Sequence, residues 1–204
     1  MKKLLLTGFE PFLNFKLNPT MEVVKHLDGD TINGYEVVTR VLPVDFSTSG
    51  KKLLKAIEET KPDAIVSLGL AGGRAKVTPE RIAINCNDGG EPDNHGRIPS
   101  GEPIVEGGSD GLFGTLPIHK MVNELKEKGY PAEISNSAGT YLCNHVMYQT
   151  LNYIEKQNKR IPAGFIHIPA SHELAIEHGK VPSWSQTDLN EAVSVCLTCI
   201  KDEH

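Results

Sequence analysis

Short apolar runs alternate along this chain with stretches in which apolar residues recur every three or four positions. The runs at residues 2–7, 35–41, 64–69, 81–86, 131–135 and 164–168 predict six strands. The helical spacing predicts helices over 19–26, 47–60, 117–128, 140–159 and 187–200. Strands interleaved with helices in this way specify an α/β fold, here a single-domain α/β/α sandwich with a mostly parallel, mixed central sheet. Local chemistry marks the element ends. Asp45 or Ser47 can cap the second helix and Thr187 the last, while Pro62 and Pro162 fall where helices have ended.

One segment breaks the alternation. Residues 87–114 (NDGGEPDNHGRIPSGEPIVEGGSDGLFG) are rich in Gly, Pro and Asp and are long for a connection inside a compact domain. Two readings stay open for it: a solvated surface loop, or a mobile cover over a substrate site. No internal repeat, low-complexity tract or charge block is present.

Composition narrows the range of partners. The 204 residues, 39% hydrophobic and 23% charged, suffice for one substantial core. A net charge of -5 argues against a phosphate-tracking nucleic-acid surface and against a basic membrane-binding patch. After Lys2 and Lys3 the apolar stretch covers only residues 4–6, too short for a signal-peptide core, and no run approaches a membrane span. A cytoplasmic location is expected. Four cysteines are too few for a disulfide scaffold and are expected to remain thiols. Cys196 and Cys199 form a CxxC without a second pair or a nearby histidine, at the end of the last helical pattern, so packing on a helix face is expected. A contact between subunits stays open for them.

Three segments carry candidate chemistry. Residues 135–145 (SNSAGTYLCNH) put Cys143 in the first turn of a helix with Thr140 as its expected N-cap, where unpaired N–H groups and the helix dipole favour a thiolate. The same helix sets Cys143, Met147, Leu151 and Ile154 on one face, so a buried structural thiol is the competing reading. Residues 164–169 (GFIHIP) put His167 near the C-terminal end of a strand, the edge at which open α/β sheets gather their active sites. An imidazole there can take the proton of a cysteine nucleophile and return it to a leaving amine; a core histidine is the alternative. Residues 77–85 (VTPERIAIN) bring Glu80, either a surface charge or the carboxylate that orients His167.

The other histidines, His26, His95, His119, His145, His172, His178 and His204, show no HExxH or paired-ligand spacing, so no metal is expected. The turn at 69–74 (GLAGGR) matches neither phosphate-binding glycine pattern, which leaves a phosphate- or nucleoside-binding protein as the reading from a different class. Phe9, Phe12 and Phe15, in TGFEPFLNF, either wall an apolar pocket or join the core.

Taken together, TGFEPF, AGGR followed by TPERIAIN, SAGTYLCNH and GFIHIP resemble the motifs of the pyroglutamyl peptidase I family, in family order and at family-like separations between residues 7 and 169. The resemblance implies a cysteine peptidase that removes an N-terminal pyroglutamyl residue from small peptides, with Cys143 as nucleophile, His167 as general base and acid, and Glu80 as its orienting partner. It also implies an α/β/α fold, no metal and commonly a homotetramer; no cofactor and no nucleic-acid or membrane partner is expected. By the same resemblance Phe9 and Phe12 line the substrate slot, joined by Tyr141, Leu142 and backbone groups near Ala71, and the Cys143 N–H helps hold the oxyanion. Such a slot suits the chemistry, since a pyroglutamyl end is a neutral lactam with no ammonium to match.

Two positions depart from the family pattern. Leu70 stands where many bacterial members carry glutamine, and Gly90 where they carry arginine. Leu70 has no side-chain donor and Gly90 supplies no cation near the reacting carbonyl; Arg74, Arg81 and Arg97 are the candidates to replace it. A related amidase or attenuated homologue with altered acyl specificity is therefore the second reading.

Overall fold

Consecutive residues of a strand point to opposite faces, so an apolar run such as 4–6 has to be covered on both sides. The computed structural model, which describes residues 1–12 and 15–201, shows how. Leu13 and Asn14 of the TGFEPFLNF motif, and His204, lie outside the described residues. The first half of the chain forms β1 (Lys2–Phe9), α1 (Pro19–Leu27), β2 (Thr31–Ile32), β3 (Tyr35–Leu42), α2 (Ser49–Thr60), β4 (Ala64–Leu70) and β5 (Thr78–Pro79). Four short strands follow, β6 (Ile82–Ile84), β7 (Asn87–Asp88), β8 (Ser100–Glu102) and β9 (Gly111–Phe113), then α3 (Ile118–Glu127) and α4 (Leu142–Lys156). The chain continues with β10 (Ala163–Ile168), β11 (Ala170–Ser171), α5 (His172–His178), β12 (Ser183–Trp184) and α6 (Gln186–Thr198).

The central sheet has the order β2-β3-β1-β4-β10-β5, parallel through its middle and antiparallel at the two short edge strands. Alternation sorts the core into two layers. Leu4, Leu6, Val66, Leu68, Ile166 and Ile168 pack on α1, α3 and α6 through residues such as Val23, Met121 and Val193. Leu5, Ile65 and Phe165 pack on α2 and α4 through Leu53, Ile57, Val146 and Met147. His167, two residues after Phe165, therefore faces the α4 layer. The α/β/α architecture and the mixed sheet are as expected.

Several boundaries differ. The expected strand at 131–135 pairs with 77–81 only through isolated bridges, although the parallel bonding pattern is otherwise present: Val77 N–H to Pro131 O, Glu133 N–H to Val77 O, Ser135 N–H to Pro79 O and Arg81 N–H to Ser135 O. The missing rung is the one Pro79 would donate, and proline has no N–H. The expected strand at 81–86 leaves the sheet. Its residues 82–84 form an antiparallel ribbon with β9, and the side chain of Asn144 takes the Ile84 N–H and donates to the carbonyls of Ile84 and Cys86.

The caps also move. Tyr141 is the N-cap of α4 and offers no side-chain acceptor, because the hydroxyl of Thr140 donates to the Asp88 carbonyl at 2.6 Å. Thr48 precedes α2, with Asp45 accepting from the Ser47 N–H and the Thr48 hydroxyl, and Ser185 in place of Thr187 caps α6 by accepting from the Asp188 N–H. Helix α5 was not expected; its Ser171 cap and first-turn Glu173 were the available signal in a segment of only seven residues.

The 87–114 segment lies over α4 and is tied down along its length. Thr140 and Asp88 exchange bonds, the Tyr141 hydroxyl donates to Pro92 O, and the Tyr148 hydroxyl donates to Ser109 O. The buried carboxylate of Asp93 accepts from the N–H groups of Phe46, His95 and Arg97, fixing the segment to the start of the α2 layer. Helix α4 is consequently buried on most of its circumference.

Candidate active site

The site forms where β4, β10 and the start of α4 meet. In the parallel β4/β10 pair, His167 lies beside Gly69, and the antiparallel pair with β5 sets His167 opposite Thr78. A Cβ built on Gly69 would fall 2.8 Å from Sγ of Cys143 and 2.6 Å from the Phe165 ring. The glycine thus leaves the volume that the thiol occupies. Cys143, in the first turn of α4, faces His167 across this gap, near enough for its charge to act on the ring.

Glu80 follows β5 and is held by its N–H donating to Phe165 O, so it hangs from the same strand that carries His167. Its Oε1 accepts from His167 Nδ1 at 2.7 Å and from Arg74 Nη1 at 2.8 Å, and the carboxylate is fully buried. Burial by itself disfavours the His167 imidazolium. The charge and hydrogen bond of Cys143, followed by the hydrogen bond and charge of Glu80, outweigh that and raise its pKa to about 9.

Next to Cys143 lies an apolar recess of about 270 Å³, counting its open mouth, walled by Phe9, Phe12, Val44, Leu70, Tyr141 and Leu142. The expected Phe9, Phe12, Tyr141 and Leu142 come together here. Ala71 is not in the wall; its N–H donates to Ile168 O and its carbonyl accepts from the Arg74 N–H, which extends β4 past its last residue. Phe15 stacks edge-on against Phe12 and His178. Asn18 adjoins the recess, but its amide is spent capping α1 at Thr20 and donating to Glu10 O. The hydroxyl of Tyr141 is committed to Pro92 O, and burial, then the nearby Asp93, hold it as a phenol with a pKa raised to about 12.

Leu70 lies at the site position expected of it, whereas Val44, the space left by Gly69 and the contact of Arg74 with Glu80 were not expected. Val44 had a weak signal, as an apolar residue just beyond a parallel strand; the contact of Arg74 with Glu80 had none. Gly90 has open space where a side chain would start, so the family arginine would be accommodated at that position. Of its suggested replacements, Arg74 is held by Glu80, Arg81 donates to Asn136, and Arg97 pairs with Glu102 and lies over Phe46. His145, two residues past Cys143, is buried and bonds Asn87; burial, and then Arg97, lower its pKa to about 4. Cys196 in α6 and Cys199 at its C-cap are buried in the core layer that also holds residues of α1 and α3. Among the described residues no group of His, Cys, Asp and Glu could hold a metal ion.

Comparison with known proteins agrees with this arrangement. The profile of the pyroglutamyl peptidase family matches residues 2–203. The chain is 56% identical over 200 residues to the pyrrolidone-carboxylate peptidase of Oceanobacillus iheyensis, covering 98% of this chain and 100% of that protein. It is 58% identical over 197 residues to that of Lysinibacillus sphaericus, covering 97% and 96%. The crystal structure of Bacillus amyloliquefaciens pyroglutamyl peptidase I, 39% identical, superposes with a TM-score of 0.94 over 98% of this chain and 97% of its own. The pyrrolidone carboxyl peptidase of Thermococcus litoralis, 38% identical, does so at 0.94 over 98% and 93%. With fold, motifs and relatives in agreement over nearly the whole length, this chain belongs to the pyroglutamyl peptidase family.

Proposed function

We propose that the chain hydrolyses the N-terminal L-pyroglutamyl residue from small peptides through an acyl-enzyme on Cys143. The observation that carries this reading is the convergence of Cys143, His167 and Glu80 beside a recess with almost no free polar side chain. The Cys143 thiolate attacks the lactam-bearing carbonyl. The His167 imidazolium then protonates the leaving amine, and its neutral form activates the water that releases pyroglutamate. Glu80 holds the tautomer and balances the charge on the ring. The Tyr141 cap leaves the first-turn N–H groups of α4 without a side-chain acceptor, so the Cys143 N–H is free to meet the oxyanion. The flat lactam fits between Phe9, Phe12, Tyr141 and Leu142, which recognise it by shape. The test is turnover of a fluorogenic pyroglutamyl amide: Cys143→Ala should abolish it, and normal turnover in that variant would sink the mechanism.

A second reading is favoured by Leu70, which puts a methyl-bearing wall where many relatives have an amide. On that reading the enzyme is attenuated or prefers a different acyl group. Profiling a series of N-acyl amides separates the two, since altered specificity predicts a better substrate than pyroglutamyl.

We further read the chain as one peptidase domain that works as a homotetramer in the cytoplasm. The family resemblance supports the assembly, as do the exposed side chains of Phe113 and Ile176, at 67% and 83%. The four free thiols fit a reducing compartment. No helix of the described residues is long and apolar enough to cross a membrane. Sedimentation velocity tests the assembly.

A further inference from the structure

We propose that Arg74 is a positioning residue of the reaction, holding the carboxylate that holds His167. The proposal rests on the reading of Cys143, His167 and Glu80 as the reacting set. Both hydrogen bonds to Glu80 converge on Oε1, from His167 Nδ1 at 2.7 Å and Arg74 Nη1 at 2.8 Å, while Oε2 is buried without a partner. A carboxylate bonded through one oxygen can swing about that contact. Its orientation therefore depends on the donor that is itself immobile.

Arg74 meets that requirement. Its Nη1 also donates to Thr78 Oγ1 at 2.7 Å, its Nη2 donates to Ser137 O at 3.3 Å, and its N–H closes a turn onto Ala71 O. Thr78 lies opposite His167 in the sheet, Ser137 belongs to the stretch leading into α4, and Ala71 continues β4 beyond Gly69. The guanidinium thereby ties the segment that carries Glu80, and through Glu80 the ring of His167, to the stretch that leads to Cys143. Only its planar fork reaches all three acceptors at once; an ammonium would not. The groups facing His167 are Cys143 from α4 and Glu80 beyond β5, with Arg74 behind Glu80.

Two variants separate charge from geometry. Arg74→Lys keeps the cation and loses the fork, whereas Arg74→Met loses both. On a pyroglutamyl amide, kcat should fall about 10-fold in Arg74→Lys and about 100-fold in Arg74→Met, with KM within about threefold of the parent. Removing a cation raises the proton affinity of its neighbours, so the pH at which His167 loses its proton should move up in Arg74→Met and stay in place in Arg74→Lys. Guanidinium added to Arg74→Met should restore part of kcat. If Arg74→Met does not fold, Arg74→Lys carries the test: lowered kcat with unchanged KM supports the proposal, and parental kcat overturns it. Active Cys143→Ala would remove the underlying mechanism. Inactive Cys143→Ala beside Arg74 variants with parental kcat and pH profile would overturn the role of Arg74 alone.

Discussion

Gly69 and Cys143 occupy one space: the position a Cβ would take on the strand residue lies 2.8 Å from the sulfur on the helix, closer than real Cβ contacts come. The thiol is thus placed by what its neighbour lacks, as well as by its own helix.

Gly69→Ala should therefore damage catalysis directly. The methyl group meets both Sγ and the Phe165 ring, at 2.8 and 2.6 Å, so both have to give way. A misplacement on the order of 1 Å is expected to cost about 100-fold in kcat. Overpacking of this kind should also destabilise the fold by about 1–3 kcal/mol. Steady-state kinetics with a thermal melt checks both, and an alanine variant with parental kcat would show that the thiol has room to spare.

Two histidines should bend the stability curve in opposite directions. His167 has its pKa raised from 6.5 to about 9, so its contribution is complete below pH 6.5 and is lost as pH rises through about 9. His145 has its pKa lowered from 6.5 to about 4, so its contribution is complete above pH 6.5 and is lost as pH falls through about 4. Melting temperature against pH should form a dome. Cys143→Ala removes the largest of the influences that raise the His167 pKa against burial and should flatten the alkaline limb, while His145→Asn should flatten the acid limb. An unchanged curve in either variant contradicts the corresponding assignment.

Leu70→Gln should raise kcat/KM for pyroglutamyl amides. Leu70 is part of the recess wall, and a donor there could reach the lactam or the reacting carbonyl. One added hydrogen bond contributes about 0.5–1.5 kcal/mol, which corresponds to an increase of up to roughly tenfold. Equal or lower turnover would mean that the recess already recognises the lactam without a side-chain amide.

Alkylation should distinguish Cys143 from the buried pair Cys196 and Cys199. Burial raises the pKa of Cys196, with a further contribution from Cys199, and burial likewise raises that of Cys199. Native protein treated with iodoacetamide should be modified at Cys143 in step with inactivation, with Cys196 and Cys199 reacting only after unfolding. Peptide mapping reads the order; early labelling of Cys196 would falsify the packed-helix reading of the CxxC.

The sequence carried the layers of this fold further than its edges. Apolar runs long enough to be buried on both faces, as in β1, β4 and β10, left little choice but a covered sheet. The segments at 81–86 and 131–135 were misjudged because the N–H that Pro79 lacks and one asparagine side chain decide their partners, and neither effect is visible in hydrophobic period. The cap of α4 was misjudged for a similar reason, since Thr140 is drawn away by Asp88, 52 residues distant. That Cys143, His167 and Glu80 would come together was legible because each sits at an element end with a recognisable neighbour motif. The contact of Arg74 with Glu80 and the space left by Gly69 arise only when strands pair, so no local pattern announces them.

Strand β10 is made last of the six in the central sheet, yet it is inserted between β4 and β5, which lie close together in the chain. Until residue 168 has left the ribosome, β4 and β5 each present an unpaired edge, and His167 is not yet in place. Such edges invite pairing with other chains. A polypeptide that stops short of Ala163 should therefore be inert and prone to aggregate, and the hydrolytic apparatus should arise in one event, when the sheet closes.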